Sequence, residues 1–319
     1  MAIPSVFIFS WNTQSYPMDV KTPFTLPSEI ANSKPDIVVF GTQEDRKPGS
    51  YLQSNVIPDL LTPLGYTRVA KTRMMGLGKT CYKGVFSLDL FARGCRISCY
   101  VRNELVSNTT TSTTTYTCCY YTRNKGAAAI YCTIQGYQPC VFICCHLPFD
   151  SQSLDPSSPW TRSASRICLS NYYLNQIIEQ IVISPDYLTY IFGDLNYRMG
   201  IDLGDITYQT LNGNNLGNMD VLQCIRDYDE LSQQVTKANI PYLDEGPMTF
   251  APTNKLAVNR QLGELCWRRG KKNQRFPSWT DRICGMFNYE DRPKCTYYNR
   301  YENESTIHSD HCAVIALWN

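Results

Sequence analysis

The sequence lacks several features that would place a protein in a class at once. None of its apolar runs approaches the roughly 18 residues of a membrane-spanning helix. Met1–Ser10 has no basic segment of the kind that begins a signal peptide, so we expect none. The ends, Met-Ala and Leu-Trp-Asn, carry no lipidation signal. We therefore expect a cytoplasmic protein whose contact with membranes, where it occurs, is peripheral.

Charge is scarce and nearly balanced. Charged residues make up 18% of the 319 residues, and the net charge is +2 at pH 7. Nucleic-acid-binding domains usually have a pI above about 9, so we expect no nucleic-acid partner. This balance leaves room for a local basic pocket that binds an anionic ligand.

The 15 cysteines follow no metal-site pattern, because no C-x-x-C pair repeats at zinc spacing. Many lie in apolar runs, such as the C-V-F-I-C-C-H of residues 140–146. Free cysteine behaves as a small buried hydrophobe, so we expect a reducing compartment and no disulfides. The G-L-G-K-T of residues 76–80 is not a phosphate-binding loop, because Arg73 stands where its first glycine is required.

Strand-like runs dominate the chain and short helices lie between them. The predicted strands are Ser5–Phe9, Asp36–Phe40, Val85–Asp89, Ile97–Tyr100, Ala127–Thr133, Val141–Cys145, Leu188–Phe192 and Cys312–Leu317. The predicted helices are Pro23–Lys34, Ser50–Leu64, Ser163–Val182 and Leu216–Ala238. The Thr-rich residues 108–117 suit either a solvated hairpin strand or a loop. No linker-like break divides the chain, so we predict one α/β domain over residues 1–319.

Polar side chains collect where the predicted strands end. The clearest case is Y-I-F-G-D-L-N-Y-R-M-G, in which an apolar strand stops at Gly193. Strand ends on a rigid sheet are common places for chemistry, and carboxylate and amide oxygens are ligands that Mg²⁺ prefers. Each fragment alone could be a turn, but several strand ends share this chemistry: Asn12, Gln43, Glu44, His146, Asp194, Asn196 and Arg198.

Two further motifs contain charged residues. S-D-H places Asp310 beside His311, where a carboxylate could orient the imidazole or raise its pKa. F-P-S-W-T-D-R-I presents Asp281 and Arg282 after a turn that Pro277 and Trp279 would make rigid. A purely structural role, with a packed tryptophan and a structural Asp–Arg pair, is an alternative for the second motif.

Taken together, these motifs resemble the inositol polyphosphate 5-phosphatase family. G-D-L-N-Y-R and P-S-W-T-D-R-I look like its two signature motifs, and the remaining fragments occur in the family's order over nearly the whole chain. These are S-W-N, Q-E, N-K-G, C-H-L, F-A-P-T-N-K and S-D-H. Q-E, H-L and S-D-H alone would fit many members of the wider endonuclease/exonuclease/phosphatase superfamily.

The resemblance implies a two-sheet, four-layer α/β sandwich and Mg²⁺-dependent removal of an inositol 5-phosphate. Glu44 would ligate Mg²⁺ with Asn12 close by, and Asp194 would orient or deprotonate the attacking water. Asn196, His311 and His146 would contact the phosphate, with Asp310 positioning His311. The remaining roles are binding of other substrate phosphates by Asn124, Lys125, Lys255, Arg275 and Arg198, and bracing of the site by Gln43, Asp281 and Arg282. Phosphate monoester hydrolysis mainly needs positioning and charge neutralisation, which these residue types can supply.

The sequence departs from the family pattern at three places. Asp150 replaces the second histidine of H-L-A-A-H, and Asn254 replaces a tyrosine that contacts the 4-phosphate. A lysine is missing before P-S-W, although Lys271 and Lys272 lie slightly upstream. These changes leave the hydrolytic residues in place and affect recognition of the 4-phosphate.

The basic run R-R-G-K-K-N-Q-R of residues 268–275 is either a solvated face or a rim that attracts inositol polyphosphates, phosphoinositide headgroups or an anionic membrane. Two other functions remain open: a phosphodiesterase or nuclease of the same superfamily, and a non-catalytic inositide-binding module. Protein partners are unknown from the sequence.

Overall fold

Two six-stranded sheets form the centre of the fold. A computed structural model of the chain describes residues 1–14, 24–45, 52–74, 78–82, 85–89, 94–118, 125–148, 159–199, 228–263, 277–288 and 292–319. In chain order the strands are β1 (Val6–Asn12), β2 (Ile37–Asp45), β3 (Tyr66–Arg73), β4 (Gly78–Tyr82), β5 (Val85–Asp89), β6 (Gly94–Arg102), β7 (Thr109–Thr117), β8 (Gly126–Ile134), β9 (Cys140–His146), β10 (Leu188–Asp194), β11 (Asp244–Glu245), β12 (Asp281–Met286), β13 (Cys295–Tyr301) and β14 (Ala313–Trp318).

The described residues contain four α-helices, fewer than the strands. They are α1 (Ser28–Ser33), α2 (Ile57–Leu61), α3 (Pro159–Ile181) and α4 (Glu230–Thr236). A π-helical turn covers Leu52–Val56, and 3₁₀ turns cover Thr62–Leu64, Asn103–Asn108 and Thr306–His308. None of the helices in the described residues is both long enough and apolar enough to span a bilayer.

The strand order of the two sheets places one parallel pair at the centre of each. The first sheet has the order β13-β14-β1-β2-β6-β3, and the second has the order β11-β12-β10-β9-β8-β7. β1 runs parallel to β2, and β10 runs parallel to β9, while the other pairs are antiparallel. The carboxyl ends of a parallel pair lie at one edge of a sheet, so each sheet brings two strand ends together there.

Buried apolar side chains cover both faces of the sheets. In β1, Val6 and Ile8 pack between the two sheets, whereas Phe7 and Phe9 pack on the outer face of the first sheet. This alternation follows from the two-residue period of a strand, and burial on both faces explains the continuous apolar run.

The outer faces are covered by helices, which gives four layers. Residues of α1 and α2 pack against the first sheet, namely Ile30, Ile57 and Leu61. Residues of α3 and α4 pack against the second sheet, namely Leu174, Ile177, Ile178, Ile181 and Leu231. The prediction of a two-sheet, four-layer α/β sandwich is therefore confirmed.

The eight predicted strands are all present, with ends that shift by up to a few residues. The sequence did not predict β3, β4, β11, β12 or β13, because charged or polar residues interrupt the apolar pattern or the strand is very short. The Thr-rich residues form β7, an edge strand that pairs with β8, so the hairpin alternative is correct.

The predicted helix boundaries needed larger corrections. The helix predicted at Pro23–Lys34 begins only at Ser28, because Pro27 restricts the preceding residue. Ser50–Leu64 is a series of π, α and 3₁₀ turns that contains two prolines, and residues 50 and 51 lie outside the described residues. Of Leu216–Ala238, only Glu230–Thr236 is a described helix, capped by the Asp229 side chain, and residues 216–227 lie outside the described part.

Gly193 is required by the close approach of β10 and β9. Its φ is +130°, and an added Cβ would overlap the carbonyl oxygen of Cys145. We expect Gly193→Ala to lower the free energy of unfolding by about 3 kcal/mol, measured by urea denaturation. Gly136→Ala is the control, because Gly136 also has a positive φ but an open space around it, so its loss should be about 1 kcal/mol. Equal losses would contradict the steric explanation.

Candidate active site

The candidate site lies where strand ends of both sheets meet. Asn12 ends β1, Glu44 lies one residue before the end of β2, His146 ends β9 and Asp194 ends β10. Asp194 is opposite His146 on one side and opposite Asp281, the first residue of β12, on the other. The Asn12 amide donates a hydrogen bond of 2.8 Å to Asp194 Oδ2, and this bond joins the two sheets.

Asp194 is the buried centre of the site. Its Oδ2 is 3.3 Å from His146 Nε2 and 3.9 Å from His311 Nε2, and its Oδ1 accepts a bond from the Asn196 backbone N–H at 3.1 Å. Burial raises the pKa of Asp194, but His146, His311 and Lys125 outweigh burial and hold the pKa well below its usual range. Asp194 is therefore ionised at neutral pH.

Asp281 holds the His311 ring in position. The predicted role of Asp281 was to brace the site. His311 Nδ1 is 2.8 Å from Asp281 Oδ2, and the hydroxyls of Thr253 and Thr280 donate to the same oxygen at 2.8 and 3.0 Å. This arrangement fixes the ring and directs Nε2 toward Asp194. Thr253 was not selected from the sequence, although it lies in the F-A-P-T-N-K motif.

The prediction that Asp310 positions His311 needs correction. Asp310 Oδ1 is 3.8 Å from His311 Nε2, which is too far for a hydrogen bond. Asp310 Oδ2 instead lies 3.5 Å from Lys255 Nζ. Asp281 orients the ring, and Asp310 contributes negative charge near it.

The charge state of His311 follows from its acidic neighbours. Burial lowers the pKa of His311, but Asp281, Asp194 and Asp310 outweigh burial and raise it to about 9. The Asn254 amide nitrogen, 2.9 Å from Nε2, favours the neutral ring. Three carboxylates at short range have the larger effect, so His311 is an imidazolium at neutral pH.

Asn196, Arg198 and Asn254 form a hydrogen-bonded chain beside Asp194. Asn196 has a φ of +57°, an uncommon backbone conformation that persists where the surroundings enforce it. Its amide donates to the Leu147 carbonyl at 2.8 Å, and its Oδ1 accepts from Arg198 at 3.0 Å. The Arg198 guanidinium also donates to Asn254 Oδ1 at 2.6 Å. These hydrogen bonds therefore fix Arg198 on the side of the site where His311 lies.

Lys125 lies inside the site and not at its edge. Its ammonium group contacts His146 Nε2. Burial lowers the pKa of Lys125, and the carboxylates of Asp194 and Glu44 oppose this effect. Burial also lowers the pKa of His146, Lys125 lowers it further, and Asp194 opposes the change, so His146 is the neutral histidine of the site.

The oxygen donors of the site fit a hard divalent cation. The Glu44 side chain is 19% exposed and its Oε1 is 4.0 Å from His146 Nε2, so it borders the same space as Asp194. The carboxylates of Asp194 and Glu44 both raise the pKa of Lys125, against the larger lowering by burial, so their charges attract a cation to this space. Glu44 and the nearby Asn12 would hold the metal, as the sequence predicts.

A second group, Asp194, Asp281 and His311, has ligand atoms within 4.8 Å of one another. It fits a metal less well, because Asp281 Oδ2 already accepts from His311 and two threonines. We therefore interpret this group as a hydrogen-bonded relay.

Gln43 and Arg282 lie outside the immediate site. Gln43 is buried between the sheets and donates to Ser10 Oγ and Cys144 Sγ at 3.1 and 3.2 Å. It supports the strand that carries Glu44.

Arg282 points to the opposite face of β12 from Asp281, as successive strand residues do. It forms ion pairs with Asp229 at 2.8 Å and Glu245 at 2.5 Å, which connect β12 to the start of α4 and to β11. Asp281 and Arg282 therefore act separately and do not form a pair with each other.

Several predicted positions lie outside the described residues. These are the substrate-binding candidates Asn124 and Arg275, and also Lys271, Lys272 and Asp150. Their roles stay predictions.

The raised pKa of His311 predicts a pH-dependent stability. Because the folded pKa of about 9 exceeds the unfolded value of 6.5, the contribution is complete below pH 6.5 and is lost as the pH rises through 9. We expect the wild type to lose about 3 kcal/mol more than His311→Gln across this window, measured by urea denaturation. Parallel pH profiles for the two proteins would show that His311 is not protonated in the folded state.

Known proteins are similar to this chain in sequence and in fold. Residues 9–317 match the model of endonuclease/exonuclease/phosphatase family 2. The chain is 25% identical to phosphatidylinositol 4,5-bisphosphate 5-phosphatase A of Homo sapiens, over 87% of this chain and 26% of that protein. It is 25% identical to inositol polyphosphate 5-phosphatase K of Mus musculus, over 88% of this chain and 55% of that protein. The chain thus spans about a quarter to a half of the length of these relatives.

Solved structures share the fold at lower identity. The ferrous NO complex of Cimex nitrophorin aligns with 100% of this chain and 98% of its own, with a TM-score of 0.61 and 16% identity. An endonuclease/exonuclease/phosphatase from Beutenbergia cavernae aligns with 99% of this chain and 72% of its own, with a TM-score of 0.51 and 15% identity. The family model matches nearly the whole chain, and the chain belongs to endonuclease/exonuclease/phosphatase family 2.

Proposed function

We propose that the protein hydrolyses the 5-phosphate of inositol polyphosphates, phosphoinositides or both, with Mg²⁺ as cofactor. The observation that carries the proposal is the arrangement of Asp194, His311 and Asp281, in which an ionised carboxylate faces an imidazolium held by a second carboxylate. The two signature motifs and the names of the relatives support the substrate class.

Asp194 orients the attacking water. Its low pKa makes it a weak base, so it accepts a hydrogen bond from the water and takes the proton only as the bond to phosphorus forms. The bond between phosphorus and the inositol oxygen then breaks, the leaving oxygen takes up a proton from solvent and Asp194 releases its proton to solvent. The products are inorganic phosphate and the inositol alcohol.

The charged groups around Asp194 neutralise the phosphate. His311 donates from Nε2 to a phosphoryl oxygen, because Nδ1 is occupied by Asp281. The guanidinium of Arg198 adds positive charge on the same side, where Asn196 and Asn254 hold it in place. When bound, Mg²⁺ would supply charge neutralisation and a more acidic water at Glu44 and Asn12.

Asn254 favours substrates that do not depend on the 4-phosphate for binding. Its amide is engaged with Arg198 and His311, so it does not project toward a neighbouring phosphate as a tyrosine could. Lys255, the next residue along the chain, is paired with Asp310 and supplies a cation for such a group. We also propose cytoplasmic action, with peripheral contact where the substrate is a membrane lipid.

Two substitutions test the reaction. Asp194→Asn and His311→Ala should each reduce phosphate release from a 4,5-bisphosphorylated inositol by about a hundredfold or more, because each removes a charged group from the transition state. His308→Ala is the matched control, since His308 contacts Asn259 and lies outside the site. Wild-type rates in either site variant would refute the proposal. Tight inositide binding without turnover in the wild type would favour the binding-module alternative.

A separate experiment tests the metal ligand. Mg²⁺ should raise the thermal unfolding midpoint of the wild type, because a ligand that binds the folded state stabilises it. Glu44→Gln should weaken the apparent Mg²⁺ affinity at least about tenfold in both the thermal and the activity titration. Glu179→Gln serves as the control, because Glu179 is an exposed residue of α3. An unchanged Mg²⁺ titration in Glu44→Gln would place the metal elsewhere.

A further inference from the structure

A cavity of about 330 Å³ lies on the outer face of the first sheet, beside the end of β2. Its walls come from β3, β6 and the π-helical turn, and its lining residues are Gln53, Ser54, Lys71, Thr72, Arg73 and Arg96. The residues proposed for catalysis and metal binding are not among them. The volume is at the small end of the range for ligand pockets, so the cavity suits a small ligand.

Three cations share this face of the sheet. Lys71 and Arg73 are two residues apart on β3, so their side chains point to the same side. Arg73 lies directly opposite Arg96 in the register of β3 and β6. Like charges in directly opposed positions destabilise a sheet, so this arrangement needs a compensating anion.

Among the described residues, Asp45 supplies a carboxylate to this group, and it pairs with Arg96. Asp45 Oδ2 is 3.0 Å from Arg96 Nε, and the Asp45 carboxylate also accepts a bond from Thr42 at 3.0 Å. Lys71 and Arg73 are exposed at the mouth of the cavity, while the Arg96 side chain is 13% exposed. Burial lowers the pKa of Arg96, Asp45 opposes this effect, and the positive charge of Arg73 lowers the pKa further.

The wall of the cavity is held in place by hydrogen bonds. Gln53 donates to Thr42 Oγ1 at 2.9 Å and accepts from Ser98 Oγ at 2.7 Å. Its backbone carbonyl accepts from Arg68 at 3.1 Å. Since the wall is preformed, little ordering is required when a ligand binds.

We propose that this cavity is a second anion site, which binds a small ligand carrying phosphate groups through Lys71, Arg73 and Arg96. Gln53 and Ser54 line the cavity beside the cations as neutral polar residues. The ligand is either a soluble polyphosphate or the phosphorylated headgroup of a lipid. The proposal is independent of the hydrolytic function, because it uses none of the residues assigned to catalysis.

Calorimetric titration of the full chain with inorganic pyrophosphate, in buffer without divalent cations, tests the site. The variant is Lys71→Gln with Arg73→Gln, and the control is Lys237→Gln with Lys294→Gln, which removes the same charge from exposed positions elsewhere. We expect a class of sites in the wild type whose affinity falls about tenfold or more in the variant, since two charged hydrogen-bond donors are lost. The control should match the wild type.

Two results would overturn the proposal. One is an identical titration of the wild type and the Lys71→Gln/Arg73→Gln variant, and the other is an equal loss in the control, which would indicate a general charge effect. Far-ultraviolet circular dichroism and the thermal midpoint of the variant establish that it is folded. Phosphate release from a soluble substrate should be unchanged in the variant. The anion-site proposal and the hydrolytic function can therefore be refuted independently of each other.

Vesicle sedimentation identifies the source of the ligand. The vesicles are phosphatidylcholine with and without phosphatidylinositol 4,5-bisphosphate. If the site binds a lipid headgroup, the Lys71→Gln/Arg73→Gln variant loses binding to the phosphoinositide vesicles and the control keeps it. If the site binds a soluble anion, only the pyrophosphate titration changes. A variant that behaves like the wild type in both assays contradicts the proposal.

Discussion

The ionised carboxylate of Asp194 is buried, and the arrangement of the site depends on how its charge is compensated. An unpaired buried charge costs several kcal/mol, so the fold must supply donors and cations around it. They come from four separate parts of the chain: Asn12 in the first sheet, His146 on the neighbouring strand, and Asn196 and His311 from loops. The same contacts that stabilise the charge bring the two sheets together at this edge.

The residues that compensate the charge of Asp194 are themselves held in place by further hydrogen bonds. His311 can face Asp194 as an imidazolium because Asp281 holds its other nitrogen, and two threonines hold Asp281. The loop of His311 is fixed in turn by Ser309, which donates to the Asn12 carbonyl at 2.6 Å. Removing one member of such a network leaves the others unpaired, so its members are expected to act non-additively.

The sequence predicted what depends on local pattern and missed what depends on strand pairing. Eight strands, and the polar residues at their ends, could be predicted from apolar runs in the sequence. A strand that is buried on both faces has a continuous run of apolar residues. Asp310 was predicted as the partner of His311 because the two are adjacent in sequence. The actual partner, Asp281, is thirty residues away and reaches the site because β12 pairs with β10. The strands with alternating polar residues, β3 and β13, lack the continuous run that would have revealed them.

The fold alone does not select the function. Cimex nitrophorin shares the architecture over the full chain at 16% identity, and its structure is a ferrous NO complex. The distinction must therefore rest on the side chains at the strand ends. In this chain they form an acidic centre flanked by two histidines, a lysine and an arginine, which suits an anionic substrate with a bound cation. Asn254 accepts a hydrogen bond from Arg198 and contacts His311, so this one side chain links the positions of two positively charged groups of the site.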